Sequence, residues 1–503
     1  VYVWDANGRR RKGWPKVMDV GVRKPRIPRQ DIPFGRPALV GAIAPPVLFD
    51  MDGDDRLEVI EAGGDGHLHV WRRDGRRLPG WPVKVQLPSG YQPPPGHFII
   101  QDEKLITPPA VADLDGDGKP ELVVRSQYTD VTGAGITPLP VSHLHTYHAD
   151  GRPVAGWPAD MPGIAEYYGS GQDAITEGSN APVAANVDGL PGDEVASAPV
   201  FSQSYLLGGD ASIRVVYGPQ PDLTMGLGAG FDPVTSLTQP AVPADVPISF
   251  TTSGAFGRFG GRLIYAEPGS GGASIIAALL QPGSGFQLKN YLRAFDGLSG
   301  VTLPGFPAFQ QGLNFLGSPA LADVSGDGQA EILDGADSSA LHAYSFLGAQ
   351  APGFPKFTTG WSVLAPSIAD LNGDGRVEVV TMAREGYLFA WRTPGLASAN
   401  AEWWRNRHDE WNTANYGTDA RPPGAPLDVE WNPETGVVRF VAAGDDWGVG
   451  QVEAYRVRVG PRWLVVRATV SGGEVQRLSL PPGASAIQAL DEAGNVGPVV
   501  PLP

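Results

Sequence analysis

The sequence predicts an all-β fold: a seven-bladed β-propeller, with six blades as the alternative, followed by a smaller C-terminal β-sandwich. Two repeated features predict the propeller. One is an acidic, glycine-rich loop, and the other is a short alternating strand that ends in an aromatic residue. Structural units that recur along a chain in this way are typical of propellers and solenoids. A change of pattern after a Pro/Gly-rich linker predicts the second domain.

The acidic loop is clearest at residues 113–121, which read DLDGDGKPE. Its carboxylates stand at positions 1, 3, 5 and 9, and Gly116 and Gly118 let the backbone turn tightly between them. Ca²⁺ takes about 6–8 oxygen ligands, so these carboxylates and the main-chain carbonyl of position 7 can surround it. Four such loops give the predicted calcium ligands: Asp50, Asp52, Asp54, Arg56 and Glu58; Asp113, Asp115, Asp117, Lys119 and Glu121; Asp323, Ser325, Asp327, Gln329 and Glu331; and Asp370, Asn372, Asp374, Arg376 and Glu378.

A fifth loop is less regular, because Leu190-Pro191-Gly192 interrupts its spacing. Whether it binds an ion stays open from the sequence. For every loop, the alternative interpretation is an acidic surface turn that holds no ion. A calcium loop at a fixed place in each repeat is a structural device more often than a catalytic one. The candidate residues of the fifth loop are Asn186, Asp188, Asp193 and Glu194.

Composition limits the kind of protein. The chain has 503 residues, enough for two or three domains, and its 67 glycines and 49 prolines fit many short strands joined by turns. The net charge of −16 gives no support to nucleic-acid binding. There is no cysteine, so no disulfide can form, and no apolar run is long enough to span a bilayer. Because calcium is plentiful outside cells, we expect a secreted or surface protein. We expect no signal peptide within the given residues, and the start at Val1 suggests a processed or truncated product.

The aromatic strand recurs seven times, and several copies lead through a turn into a Gly-aromatic-Pro hook. Together with the strands that flank the acidic loop, each unit has four strands, as in a propeller blade. The strand copies are residues 1–4, 68–71, 144–147, 214–217, 292–295, 341–344 and 388–391, and the hooks are Gly13-Trp14-Pro15, Gly80-Trp81-Pro82, Gly156-Trp157-Pro158, Gly305-Phe306-Pro307 and Gly353-Phe354-Pro355.

Two segments depart from the repeat. Residues 218–290 are rich in Gly, Pro and Ser, and we predict that they are insertions that carry a function specific to this protein. Residues 225–228 within them are a predicted assembly contact. Residues 402–417 concentrate Trp403, Trp404 and Trp411, and we expect them to pack beside residues 1–4 and close the ring. A ligand cage is the alternative interpretation of these aromatic residues.

The predicted domains are a propeller at 1–417, a linker at 418–424 and a β-sandwich of about 80 residues at 425–503. The acidic loops resemble the FG-GAP/VCBS repeats of integrin-α-like β-propellers, a resemblance that implies calcium in the loop between the first two strands of a blade. The tail resembles a fibronectin type III domain in the segments 444–446, 454–458 and 489–497. Residues 404–416 resemble the closing motif of propellers at the C-terminus of large secreted proteins, some of them subtilisin-like peptidases.

The sequence does not predict an enzyme. His67 with His69, or His143 with His145, could bind a transition metal, but ordinary strand positions explain them better. No serine lies in a nucleophile elbow. We therefore expect a non-catalytic calcium-binding scaffold for protein or glycan binding, adhesion or self-assembly. The alternatives are the processed C-terminal targeting region of a larger secreted enzyme, such as a subtilisin-like peptidase, and a polysaccharide-active enzyme.

Overall fold

The structure is a computed structural model of the chain. Every regular element in its described part is a β-strand, which confirms the predicted all-β class. No described helix is long and apolar enough to cross a membrane. The structure describes residues 1–18, 42, 44–54, 56–87, 97–101, 105, 107–132, 141–162, 180–199, 203–218, 247–248, 253–271, 289–311, 317–335, 338–362, 364–372, 374–396, 402–419, 422–445, 451–491 and 494–503.

Within the residues that the structure describes, six antiparallel sheets follow one another along the first part of the chain. Sheet 1 contains β1 (Val47–Phe49), β2 (Glu58–Ala62), β3 (His67–Trp71) and β4 (Val83–Lys84), and sheet 2 contains β5 (His97–Gln101), β6 (Ala110–Ala112), β7 (Glu121–Thr132), β8 (Val141–His148) and β9 (Ala159–Pro162). Sheet 3 contains β10 (Val183–Ala185), β11 (Glu194–Ser197), β12 (Ser204–Leu207) and β13 (Ile213–Tyr217), and sheet 4 contains β14 (Pro247–Ile248), β15 (Ala255–Phe259), β16 (Arg262–Gly271), β17 (Lys289–Asp296) and β18 (Ala308–Gln311). Sheet 5 contains β19 (Ala320–Ala322), β20 (Glu331–Gly335), β21 (Ala340–Tyr344) and β22 (Lys356–Phe357), and sheet 6 contains β23 (Ser367–Ala369), β24 (Arg376–Met382) and β25 (Leu388–Leu396).

The six sheets share one plan. In each, a first strand (β1, β6, β10, β15, β19 or β23) pairs with a second strand, which pairs with a third. The first strands are short and contain small apolar residues such as Ala110, Ala184 and Ala320, which are fully buried. From sheet 2 to sheet 6, the first strands of consecutive sheets are neighbours in space. Small side chains allow this close approach, so the sheets meet through their first strands.

The hooks link each unit to the next one along the chain. The indole N–H of Trp81 donates to the carbonyl of Ala149 at 2.8 Å, and its ring lies edge-on to Tyr147. Trp14 bonds the carbonyl of Arg73 at 3.1 Å, and Trp157 bonds that of Gly209 at 2.9 Å. In each hook the peptide bond before proline is cis: Trp14-Pro15, Trp81-Pro82, Trp157-Pro158, Phe306-Pro307 and Phe354-Pro355.

One predicted aromatic strand has a different place in the fold. In the predicted unit the aromatic strand follows the two strands that flank the acidic loop and is therefore the third strand. Residues 214–217 instead belong to β13, the fourth strand of sheet 3, and the third strand is β12. The hydroxyl of Tyr217 donates to the carbonyl of Gly297 at 2.8 Å, and its ring lies 5.5 Å from Phe295. Tyr217 thus makes the link to sheet 4 that a hook makes elsewhere. The prediction was wrong because β12 ends in leucine rather than in an aromatic residue.

The N-terminal residues 1–16 form a hairpin that repeats the last part of a unit. A bridge joins Trp4 to Arg10, as one joins Trp71 to Arg77 in sheet 1. The hairpin packs on sheet 1, where Trp14 contacts Trp71 with ring centroids 6.0 Å apart. The number of blades stays a prediction.

Residues 402–416, called the central segment below, contact the first strands of all six sheets. The expected pairing with residues 1–4 is corrected, because the backbone hydrogen bonds described for this segment run to the first strands instead. On its inner side, a first strand has N–H groups that do not bond the second strand of its sheet. The central segment accepts hydrogen bonds from these groups. The bonds are Leu48 N to Trp411 O (2.8 Å), Val111 N to Thr413 O (3.0 Å), Ala184 N to Ala414 O (2.7 Å), Arg258 N to Glu402 Oε2 (3.0 Å), Leu321 N to Trp403 O (2.8 Å) and Ile368 N to Trp404 O (2.8 Å).

Polar side chains of the central segment complete this contact. Arg407 is buried and donates to the carbonyls of Pro109 and Pro182, and Asn412 donates to that of Pro46 at 2.9 Å. Each of these prolines directly precedes a first strand. Burial lowers the pKa of Arg407 to about 9. The segment therefore serves packing and closure, which favours that interpretation over a ligand cage.

The last seven strands form two further sheets that share one core. Phe440 of one sheet lies edge-on to Tyr455 of the other, with ring centroids 4.8 Å apart. The predicted boundaries at 417 and 424 stay predictions. Sheet 7 contains β26 (Leu427–Asn432), β27 (Val437–Val441) and β30 (Val475–Ser479), and sheet 8 contains β28 (Ala454–Val459), β29 (Arg462–Arg467), β31 (Ala484–Leu490) and β32 (Val500–Pro501).

Much of the predicted insertion 218–290 lies outside the described residues, including residues 225–228. Its described parts are residue 218, residues 247–248 and 253–271, which contain β14 to β16, and residues 289–290 at the start of β17. The proposed assembly contact there stays a prediction.

Candidate metal centres

The predicted calcium loops all lie at the same place in their sheets, between the first and the second strand. Loop 113–121 joins β6 to β7, and the register pairs Ala112 with Glu121. The residue before the first aspartate therefore lies opposite the glutamate of position 9. The same pairing occurs for loops 50–58, 186–194, 323–331 and 370–378.

One hydrogen bond closes every loop. The backbone N–H of position 2 donates to Oε2 of the glutamate at position 9, which bends the loop back onto the start of the second strand. This bond needs a side chain at position 9 that is long enough to bring an acceptor oxygen to the N–H of position 2, which explains why glutamate recurs there. The five bonds are Met51 to Glu58 (3.0 Å), Leu114 to Glu121 (2.9 Å), Val187 to Glu194 (2.8 Å), Val324 to Glu331 (2.8 Å) and Leu371 to Glu378 (2.9 Å).

The aspartate of position 1 organises the turn. Asp113 accepts the backbone N–H groups of Asp117 at 3.1 Å and Gly118 at 2.9 Å. Asp50 accepts the equivalent N–H group of Asp54, and Asp323 and Asp370 accept those of Gly328 and Gly375. Gly118 has a φ of 79°, a conformation that glycine adopts without steric cost. The loops are thus held in shape by their own backbone.

Three of the loops bring carboxylate oxygens together. In each group the ligand atoms lie within 4.8 Å of one another. Asp54 is not part of such a group, and among the described residues Asp370, Asp374 and Glu378 do not form one. The groups are Asp50 with Asp52 and Glu58, Asp113 with Asp115 and Asp117, and Asp323 with Asp327 and Glu331.

The electrostatics of the loops reflect this crowding. Burial, reinforced by the nearby Asp50, Asp52 and Asp54, raises the pKa of Glu58 to about 7. Burial also raises the pKa of Glu121 and of Glu331. Carboxylates that repel one another in a partly buried site are stabilised by a cation.

The residues at position 7 were predicted to offer a carbonyl, and their side chains make contacts of their own. Lys119 Nζ donates to Asp117 at 2.6 Å, and this bond lowers the pKa of Asp117. Arg56 lies 3.8 Å from Asp54, and Arg376 donates to the carbonyl of Pro394 at 2.6 Å. For Gln329 the contact is made by the backbone instead, since its N–H donates to Asp327 at 2.8 Å. Whether the carbonyls bind an ion stays a prediction.

The fifth loop keeps the shared closure although its sequence is irregular. Gly189 N donates to Asn186 at 2.7 Å, and Leu190 N donates to Asp188 at 2.8 Å. Asp193 leaves the loop: its carboxylate accepts the backbone N–H of Asp113 at 3.0 Å, and its own N–H donates to the carbonyl of Asp113. Asp193 therefore connects two neighbouring loops.

Sequence reasoning missed a set of basic residues beside the loops. The residue after the aromatic residue of a third strand reaches the loop of its own sheet. His148 Nδ1 lies 2.9 Å from Glu121 Oε1, Arg72 forms an ion pair with Asp52, and Arg392 lies 4.0 Å from Glu378. His148 also joins Asp115 and Glu121 as a group that could hold a metal ion. The signal in the sequence is the basic residue that directly follows Trp71, Tyr147 and Trp391.

The histidines considered as transition-metal ligands are engaged with other groups. His69 Nε2 lies 3.0 Å from Asp65, and His143 Nδ1 lies 2.8 Å from Asp160. Burial lowers the pKa of His145 to about 3, so it stays neutral. His67 Nδ1 lies 3.0 Å from the carbonyl of Asp65.

Comparison with known proteins gives one match to a family model. The FG-GAP-like repeat family matches residues 50–124, a stretch that contains the first two loops. No curated protein matches the chain.

Several solved structures are similar at low sequence identity. The V. cholerae biofilm matrix protein Bap1 is 11% identical, with 72% of this chain and 78% of that chain covered and a TM-score of 0.33. BBS1N in complex with ARL6DN is 10% identical, with coverage of 93% and 94% and a TM-score of 0.37. A quinohemoprotein alcohol dehydrogenase from Pseudomonas putida HK5 is 9% identical, with coverage of 75% and 70% and a TM-score of 0.28. At such low TM-scores these likenesses carry no argument about function.

Proposed function

We propose that this chain is a non-catalytic, secreted β-propeller scaffold that calcium stabilises and that binds an extracellular protein or glycan or builds a surface assembly. Sheets 1 to 6 are six of its blades, and residues 1–16 belong to a seventh, with a six-bladed ring as the alternative. Residues 425–503 form a fibronectin type III-like domain. The observation that carries the proposal is the repeated acidic loop, closed by the same glutamate bond in five sheets.

The donor chemistry of the loops fits calcium. Each group offers hard oxygen ligands, which Ca²⁺ prefers, whereas soft metals prefer sulfur ligands. In the loop of sheet 5, Ser325 Oγ is buried and makes no hydrogen bond of normal geometry with the described residues. An orphaned oxygen beside Asp323, Asp327 and Glu331 is suited to a cation. Bound calcium would supply charge neutralisation, and the residues that would hold it are those predicted from the sequence.

The central segment supports the propeller arrangement. Its bonds to the first strands follow the order of the sheets: Glu402, Trp403 and Trp404 serve sheets 4, 5 and 6, and residues 411–414 serve sheets 1, 2 and 3. One short segment can reach six sheets in this order when they surround it. We propose no catalytic residue among the acidic side chains of the loops, because the same residues recur in several sheets and organise the turn in each.

Thermal unfolding with and without calcium tests the proposal. We expect a chelator to lower the melting temperature of the wild-type protein, because ion binding adds to the free energy of folding. Asp113→Ala should reduce this calcium-dependent shift. Asp150→Ala, which removes an aspartate from an exposed turn outside the loops, is the matched control and should leave the shift unchanged. Equal melting temperatures of wild-type protein with calcium and with chelator would contradict the proposal.

A further inference from the structure

A concentrated basic surface lies in the C-terminal part of this acidic chain. The hairpin formed by β28 and β29 covers residues 454–467, which contain four arginines and no acidic residue, while the whole chain has a net charge of −16. The arginines are Arg456, Arg458, Arg462 and Arg467.

The register of the hairpin places three of these arginines on one face of sheet 8. Tyr455 and Val457 of β28 are buried in the core, so Arg456 and Arg458 project from the opposite face. On β29, Val465 pairs with Arg456, Trp463 with Arg458 and Arg467 with Ala454. The arginine face is defined by Arg456, Arg458, Trp463, Val465 and Arg467.

Neighbouring strands leave the arginine face uncompensated. The adjacent strand β31 brings Gln488 opposite Arg456 and Ala486 opposite Arg458, and neither carries a charge. Within the described residues, no carboxylate forms an ion pair with an arginine of this face. On sheet 7, by contrast, Arg439 lies 3.3 Å from Glu430.

The face also offers apolar contact area. The guanidinium of Arg456 lies 5.3 Å from the centre of the Trp463 ring, an arrangement that orients the charged group without neutralising it. Val465 is 63% exposed, on the edge strand of the sheet. Guanidinium groups and exposed apolar side chains thus alternate over the two strands β28 and β29.

We infer that the arginine face binds a polysaccharide that carries carboxylates, such as a chain of uronic acids. Guanidinium groups bind carboxylates through two parallel hydrogen bonds, and sugar rings have apolar faces that can lie on Trp463 and Val465. Arg456 and Arg458 are two residues apart on an extended strand, about 7 Å, which suits a linear polymer with regularly spaced charges. A nucleic acid carries charge more densely, so the rest of this acidic chain repels it more strongly.

The inference deepens the proposed scaffold function and rests on it, since it names one glycan class. Its test uses the full chain with calcium held constant and measures binding of short oligogalacturonates by calorimetry. We expect binding that weakens between about 0.05 and 0.5 M NaCl. Arg456→Gln with Arg458→Gln should weaken it about tenfold, the loss expected for two charged contacts at a solvated surface.

A matched control removes the same charge from the same domain. Arg439→Gln with Arg477→Gln, on sheet 7, should change the affinity less than twofold. If the first double variant has a lowered melting temperature, Arg458→Gln with Arg467→Gln replaces it, because both of these side chains are exposed.

Several results would overturn the inference. These are absence of oligogalacturonate binding, equal loss in both double variants, tighter binding of single-stranded DNA than of oligogalacturonate, and salt-sensitive self-association that the Arg456/Arg458 variant abolishes in the absence of sugar. Failure of the sugar assay beside a normal calcium shift of the melting temperature would reject the inference and keep the calcium scaffold.

Discussion

The phenol of Tyr416 donates a hydrogen bond to the carboxylate of Glu402. These two residues stand at the two ends of the central segment, so the bond joins its ends after it has passed the first strands of six sheets. A chain without cysteine thereby connects sequence-distant strands through hydrogen bonds and buried tryptophans. The predictions that follow test this closure, the links between sheets and the calcium loops.

Removal of a central ring should destabilise the protein strongly. Trp403 is fully buried, so Trp403→Ala is expected to cost about 3–5 kcal/mol of unfolding free energy through lost contacts and a cavity. Trp4→Ala is the matched control, because Trp4 is 56% exposed and its loss should cost about 0.5 kcal/mol or less. Chemical denaturation of both variants measures the difference. Similar costs for the two substitutions would contradict the role of the central segment.

Truncation should separate the central segment from the tail. A variant that ends at Pro394 lacks the whole segment, and the inner N–H groups of the first strands lose their acceptors. We expect it to be unstable or to aggregate, whereas a variant that ends at Arg421 should fold. Circular dichroism and size-exclusion chromatography of the two proteins distinguish these outcomes. A cooperative, unchanged melt of the shorter variant would argue against closure by the segment.

Tyr217 should contribute through its hydroxyl. Tyr217→Phe keeps the ring beside Phe295 but leaves the buried carbonyl of Gly297 without this donor. We expect a loss of about 1–2 kcal/mol in unfolding free energy. Tyr2→Phe is the control at an exposed tyrosine and should be neutral. No effect at Tyr217 would mean that the link between sheets 3 and 4 does not depend on this bond.

Glu61 should make stability depend on pH. Its side chain is buried, and burial raises its pKa from the usual 4.5 to about 8, opposed by the N-terminal ammonium group. Between these values the folded protein keeps a proton that the unfolded chain has lost. Folding therefore takes up a proton. The contribution of Glu61 to the free energy of unfolding is fully present below pH 4.5 and is lost as the pH rises toward 8.

The variant Glu61→Gln isolates this effect. We expect the wild type to lose up to about 4 kcal/mol more than the variant between pH 5 and 8. Both proteins must be compared at constant calcium, because the loop carboxylates also titrate. Urea unfolding at several pH values gives the two slopes, and parallel slopes would contradict the assignment.

The sequence allowed the acidic loops to be located because their geometry is local. Nine residues contain the turn glycines, the first aspartate and the closing glutamate, and the structure joins these by short-range bonds such as Gly118 to Asp113. The period-two strands were equally predictable, since alternation depends on immediate neighbours. The all-β class follows from these two local patterns.

The rest depends on contacts between distant parts of the chain. Arg407 donates to the carbonyl of Pro109, almost 300 residues earlier in the chain, and no local pattern indicates that acceptor. The link made by Tyr217 was missed because sheet 3 has no Gly-aromatic-Pro hook. The role of Asp193 was missed because its partner, Asp113, belongs to another sheet.

The calcium content of the folded protein tests the central claim most directly. Protein dialysed against calcium, then freed of excess ion, should hold about four ions per chain by elemental analysis, one for each regular loop. Asp113→Ala, compared with Asp150→Ala, should hold about one ion fewer while it remains folded. Folded wild-type protein that holds no calcium would contradict the account.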